Sequence, residues 1–223
     1  MLHGTLWDKI PRFAIPVAAT AILSQLFNAA DTAVIGNFTG ELRTVAVAAV
    51  GTNSSIISLI VNLFIGLSVG ANVLVAQYYG AKRDQDVNET VHTAVAISLL
   101  SGVFLVALGL LVTRPLLELM GTPDDVIDKS AIYMKIYFAG MPATMLYNFG
   151  SAVLRAVGDT RRPLYFLTAA GVVNVVLNLF FVISLNMDVA GVALATVISQ
   201  VISAGLVFWC LVKSEGALKL RIR

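Results

Sequence analysis

The chain has 223 residues, 58% of them hydrophobic and only 13% charged, with a mean hydropathy of +0.86; an ordinary soluble domain carries about 25% charged residues. A water-soluble globule is excluded, and a formal charge of +2 leaves no basic footprint for nucleic acid. A single cysteine, Cys210, permits no intrachain disulfide, and His3 and His92 stand far from it and from each other, so no zinc or haem site is expected.

A helix needs about 20 mostly apolar residues to cross the roughly 30 Å hydrocarbon layer of a membrane. Six such runs occur, at approximately 13–35, 51–78, 91–113, 136–157, 164–185 and 190–212. The expected fold is an all-α integral membrane protein, a single bundle of six transmembrane helices over residues 1–223. The first run follows Lys9 and Arg12 as the core of a secretory signal would, but at about 23 residues it exceeds the usual 7 to 15 and contains Asp31, so it is read as a span. Within it, Pro16 removes one backbone hydrogen bond and is expected to bend the helix. The connections are short and polar: Gly36-Asn37, Gly80-Ala81-Lys82-Arg83-Asp84, Arg114-Pro115, Gly158-Asp159-Thr160-Arg161-Arg162-Pro163 and Asn186-Met187-Asp188. Before the fourth run, Gly121-Thr122-Pro123-Asp124-Asp125 predicts a helical lead-in, with Thr122 as cap, Pro123 at the first helical position and two acids near the N-terminus.

Orientation follows from Lys and Arg alone. With the N-terminus inside, the cytoplasmic segments hold Lys9, Arg12, Lys82, Arg83, Arg155, Arg161, Arg162, Lys213, Lys219, Arg221 and Arg223, against Arg43, Arg114, Lys129 and Lys135 outside. Both termini are therefore expected in the cytoplasm, and Trp7 and Trp209 read as anchors at that interface.

One acid is left inside the membrane. Asp31 lies well within the first span, where an ionisable group costs several kcal/mol and marks a functional site by default. Thr20, Ser24 and Asn28 precede it at helical spacing, so all four share a face. Similar polar stripes follow: Ser55, Ser58 and Asn62 on span two; Tyr133, Tyr137, Thr144, Asn148 and Ser151 on span four; Asn174 and Asn178 on span five; Thr196, Ser199 and Ser203 on span six. Any one stripe is explained by hydrogen bonding between packed helices; five together predict a polar interior, with Ser24, Asn28, Asn62, Tyr137 and Asn148 as candidate cavity lining. Tyr137 and Tyr147 offer faces for a cation–π contact with a drug cation. From the outer ends of their spans, Asp31, Asn178 and Thr196 lie about five to seven residues deep, or roughly 7–11 Å at 1.5 Å per residue, with Asn174 one turn further. A carboxylate, two amide oxygens and a hydroxyl can thus surround one site, an all-oxygen set suited to a hard cation, where the carboxylate holds either a proton or a metal cation.

At these residues the sequence resembles the N-terminal lobe of the multidrug and toxic compound extrusion (MATE) family. The strings that carry the resemblance are Asp31-Thr32-Ala33-Val34-Ile35-Gly36, Ala76-Gln77-Tyr78-Tyr79-Gly80-Ala81-Lys82 and Leu154-Arg155-Ala156-Val157-Gly158-Asp159-Thr160-Arg161-Arg162-Pro163, and it extends over essentially the whole chain. The resemblance implies a transporter of the prokaryotic inner membrane that exports organic cations and drugs in exchange for Na⁺ or H⁺, built from two six-helix lobes. It places the coupling-ion site on Asp31, Asn174, Asn178 and Thr196 and the bending proline on Pro16. Some relatives have an acid where this chain has Asn178, so the site here has one formal negative charge and the coupling ion stays open between Na⁺ and H⁺. The family's twelve spans leave a C-terminal lobe, or a second copy of the chain, as the expected partner besides membrane lipid and the organic cation; no organic cofactor is expected.

Other functions fit less well. A flippase for lipid-linked saccharides would favour a cavity lined with several Arg or Lys, and the spans hold no such set. A non-transporting membrane fragment or assembly subunit would use the polar stripes for packing alone. An intramembrane enzyme would need a paired Ser and His, paired acids or metal-ligand spacing, which the sequence lacks.

Overall fold

A computed structural model describes residues 6–38, 43–214 and 216–220 of the chain. Leu6–Phe38 forms α1, Arg43–Gly80 α2, Asp84–Leu119 α3, Asp124–Ala139 α4, Met141–Ala156 α5, Arg161–Leu179 α6 and Asp188–Lys213 α7. Helix α6 ends in a wider π-helical turn, Phe180–Ser184, and a 3₁₀ turn, Gly216–Leu218, follows α7. No strand occurs among the described residues. This is the architecture demanded of chain in lipid, where every backbone polar group must be satisfied within its own helix or a closed barrel.

Among the described residues, five helical segments are long and apolar enough to cross a membrane: Ile10–Phe38, Ile57–Gly80, Asp84–Leu119, Arg161–Ser184 and Asp188–Lys213. The fourth predicted span, at 136–157, is not one helix. It is divided at Gly140 into α4 and α5, each of 16 residues, because Pro142 has no N–H to offer the carbonyl one turn back and its ring crowds that turn. Gly140 bridges the break, its N–H donating to the Tyr137 carbonyl at 3.0 Å and its carbonyl accepting from Ala143 at 3.1 Å. Only together do α4 and α5 have the length of a span, and the lead-in read from Pro123-Asp124-Asp125 is α4 itself.

Three local expectations are corrected. Arg114-Pro115 is not a connection; it lies inside α3, which continues to Leu119, since a proline in the closing turn forfeits a single helical bond. Thr122 does not cap α4: Asp124 is the first helical residue, the Pro123 carbonyl accepts from Val126 and Ile127, and the Thr122 hydroxyl makes no hydrogen bond. Gly36-Asn37 likewise falls within α1. That helix passes through Pro16 without a break.

The α4–α5 pair sits at the centre, with Met134, Phe138, Met141, Met145 and Phe149 almost wholly buried and α2, α3 and α7 packed around it. Lipid tails are as apolar as leucine, so close approach and van der Waals contact hold such helices together. A Cβ on Gly102 of α3 would stand 2.4 Å from the Pro142 Cα, so glycine there admits the broken helix. On the other flank, Gly171 of α6 accepts the ring of Phe27 of α1, which a Cβ would meet at 1.9 Å. Helix α1 otherwise packs loosely, with Ile15, Ile22 and Leu26 exposed.

Charge is partitioned between the two ends of the bundle. At one end Asn88, in the first turns of α3, donates to the carbonyls of Ala217 and Lys219 beyond α7, at 3.2 and 2.8 Å, so the Lys82–Arg83 turn and Lys213 share that end. At the other, Lys129 of α4 pairs with Asp188 at the start of α7, and Arg114 lies 3.8 Å from Asp128.

Candidate functional site

Helical spacing puts Ser24, Asn28 and Asp31 on one face of α1, which packs on α6 through Phe27 and Gly171. Asp31 is buried, at 6% exposure, and its two carboxylate oxygens have different partners. Asn178 Nδ2 donates to Oδ1 at 2.5 Å and Thr196 Oγ1 lies 3.2 Å from Oδ2. Asn178 Nδ2 also reaches Asn174 Oδ1 at 3.2 Å, one helical turn back, and Asn174 Nδ2 donates to Thr196 Oγ1 at 3.4 Å. The four side chains predicted to converge thus form a closed ring from α1, α6 and α7.

The ring leaves one oxygen over. Asn178 is fully buried, both of its amide contacts use Nδ2, and its Oδ1 accepts no hydrogen bond. A buried amide oxygen without a donor is costly and is available to a cation or to an acid proton. With the Asp31 carboxylate, Asn174 Oδ1 and Thr196 Oγ1 of the same ring, the available donor atoms are all oxygens, the chemistry of hard cations.

Asp31, Asn174 and Thr196 open onto a cavity of about 350 Å³ between α1, α2, α4, α5, α6 and α7. Ser24, Asn28, Asn62, Tyr137 and Asn148 all line it. Asn148 is held by its bond to the Thr144 carbonyl at 2.8 Å, Asn28 Nδ2 lies 3.4 Å from Gln25 Oε1, and Tyr137 stacks on Tyr133 with ring centroids 6.2 Å apart. Ser58, Ser199 and Ser203 contribute hydroxyls, while the Ser55 side chain lies outside those described. Among the described lining residues Asp31 is the single charged group. A smaller cavity, about 200 Å³, meets Asp31 from the side of α2 and α4 through Ser54, Ser58 and Tyr133.

Sequence reasoning missed Gln25 and Gln200. Both line the main cavity, and Gln200 Oε1 is buried without a partner. Gln200 follows Thr196 by four residues, so the helical period that grouped Thr196, Ser199 and Ser203 reaches it too. Asn53 and Asn72 were also passed over; they serve packing, donating to the carbonyls of Ser130 and Ala152 at 3.0 and 2.7 Å.

Apolar helices around a polar cavity with one buried acid define a multi-pass membrane protein. The MatE family model matches residues 16–180. A probable multidrug resistance protein of Bacillus subtilis is 31% identical over 201 residues, covering 88% of this chain and 43% of that protein. Among solved structures, the outward-facing conformation of a multidrug resistance MATE family transporter superposes with a TM-score of 0.87 at 26% identity, over 96% of this chain and 47% of that one. An inward-facing conformation of such a transporter gives 0.80 at 26% identity, over 94% and 47%. The chain belongs to the MatE family, a family of multi-pass membrane transporters, and spans about half the length of the relatives it matches.

Proposed function

We propose that this chain is the N-terminal lobe of an exporter of organic cations and drugs, driven by Na⁺ or H⁺ moving inward, and that Asp31, Asn174, Asn178 and Thr196 hold the coupling ion. The observation that carries the reading is the ring around Asp31 at the wall of a cavity with no other charged lining residue. One negative charge in a low-dielectric site balances one positive charge at a time. A coupling cation or proton on Asp31 therefore opposes entry of an organic cation, and the organic cation favours release of the ion. That mutual exclusion is the thermodynamic basis of exchange.

Asn178 suits either state of the acid. Its Nδ2 donates to the carboxylate; after a flip of the amide, its Oδ1 accepts from a protonated Asp31 or faces a metal cation. The Thr196 hydroxyl can likewise donate to the carboxylate or lend its oxygen. The drug's aromatic or alkyl body would rest on Phe27, Ile65 and Leu167, with Tyr137 and Tyr147 as cation–π faces.

The basic residues gathered at the end shared by Lys82, Arg83 and Lys213 support a cytoplasmic location for that end, hence for both termini, in a prokaryotic inner membrane. The relatives' double length supports a second lobe, or a second copy of the chain, closing the cavity. The test is efflux of a fluorescent organic cation from cells expressing residues 1–223, alone and with a complementary C-terminal lobe, beside Asp31→Asn at matched membrane levels. The reading expects efflux to fall at least ten-fold, a loss of about 1.4 kcal/mol of coupling or more, in Asp31→Asn. Equal efflux from both would overturn it.

A further inference from the structure

At the end of the bundle where α7 finishes and α6 begins, a separate cavity of about 600 Å³ lies between these two helices. Its polar rim is Arg162, Lys213 and Ser214; its walls are Phe166, Trp209 and Leu218. The transport reading uses none of them.

Each cation is held in place and still accessible. Arg162 Nε lies 3.2 Å from Asp159 and its Nη1 3.5 Å from Cys210 Sγ, while 58% of the side chain remains exposed. The Lys213 ammonium sits over the Trp209 ring, 4.5 Å from its centroid, a contact that fixes the nitrogen and leaves its N–H donors free for an anion. Away from the rim, the outer faces of both helices are apolar and uncovered, with Tyr165 and Val172 exposed on α6 and Ile198 and Val201 on α7. A Cβ on Gly205, one turn before Trp209, would meet nothing within 4 Å, so that face is open.

Two cations beside an exposed indole, at the end of helices that span a membrane, lie at headgroup depth, where tryptophan settles and basic pockets between helices attract anionic lipid. Guanidinium and phosphate form charge-assisted hydrogen bonds. A free anion would have no use for the apolar walls or the uncovered face below, whereas a glycerophospholipid needs both.

We propose that this cavity binds the headgroup of an anionic phospholipid, its phosphate between Arg162 and Lys213 and an acyl chain laid along the α6–α7 face. The site rests on the bundle spanning a membrane and not on what it transports. It would tether the α6–α7 edge to the anionic leaflet while α1 and the Asp31 cavity remain free to rearrange.

The test is native mass spectrometry of the purified full chain, counting retained phosphatidylglycerol and phosphatidylcholine from equimolar mixtures. Two basic contacts predict a preference for phosphatidylglycerol on the order of ten-fold, lost in Arg162→Gln/Lys213→Gln. Lys82→Gln/Arg161→Gln removes two cations from the same end outside the cavity, and is expected to keep the preference. Equal retention of the two lipids by the native chain, or equal loss in both double variants, would overturn the proposal. Millimolar inorganic phosphate should leave the bound lipid in place; full displacement would mean a free-anion site and would also overturn it. Should the first variant fail to fold, Trp209→Leu alone is expected to lower retention several-fold, and unchanged retention would count against the site.

Discussion

Asp31 is stabilised by two donors on different helices, and each has a separable part. The single hydroxyl proton of Thr196 is shared between two acceptors, Asp31 Oδ2 at 3.2 Å and the Val192 carbonyl of its own helix at 2.9 Å. Thr196→Val keeps the shape and removes the hydroxyl, so the carboxylate loses one donor and the ion one oxygen. The expected cost is about 1 kcal/mol of folding stability, read as a lower melting temperature in detergent, together with roughly ten-fold weaker coupling-ion affinity. A full loss of stability with unchanged ion dependence would make Thr196 a packing residue only. The ring was legible in the sequence because its members are punctuated by the helical period and sit at matched depth within their runs, both of which survive without tertiary information. Which amide atom points where was not legible, nor was the partnerless oxygen of Asn178, since these depend on rotamers set by neighbours. Gln200 escaped because a long polar side chain near the middle of a span does not reveal whether it reaches the cavity or packs.

At the scale of elements, composition located five spans because a long apolar run in lipid has no alternative to a helix. The fourth run, 136–157, is divided between α4 and α5. Pro142 lies inside an apolar run, and a scan for hydrophobicity does not weigh one missing N–H. The break is matched across the interface by Gly102, whose lack of a side chain admits the Pro142 backbone. Gly102→Ala has no flexible group to displace, so α3 must move off the break, at an expected cost of about 1–3 kcal/mol. Thermal unfolding in detergent measures this; an unchanged melting temperature would show that α3 and the break adjust freely. The unbroken course of α1 through Pro11 and Pro16 belongs to the same scale: each proline removes one bond to the preceding turn, a local loss the rest of the helix tolerates.

At the scale of the whole molecule, the chain spans about half the length of the relatives it matches, and the Asp31 ring lies wholly within it. Every member of the ring lies within the described chain, whereas the cavity beside it is bordered by α1 and α2, whose leucines and isoleucines, Leu59, Leu63 and Ile22 among them, remain exposed. The backbone follows an outward-facing family member more closely than an inward-facing one, with TM-scores of 0.87 and 0.80. The proposed sharing of one negative charge between ion and drug makes a direct demand on binding. The measurement that tests it most directly is equilibrium binding of a labelled organic cation to the purified chain across a grid of pH and Na⁺ concentration, beside Asp31→Asn. The account predicts that protons, Na⁺ or both weaken binding to the native chain competitively, and that the variant loses this dependence. An ion dependence that persists unchanged in Asp31→Asn would contradict it.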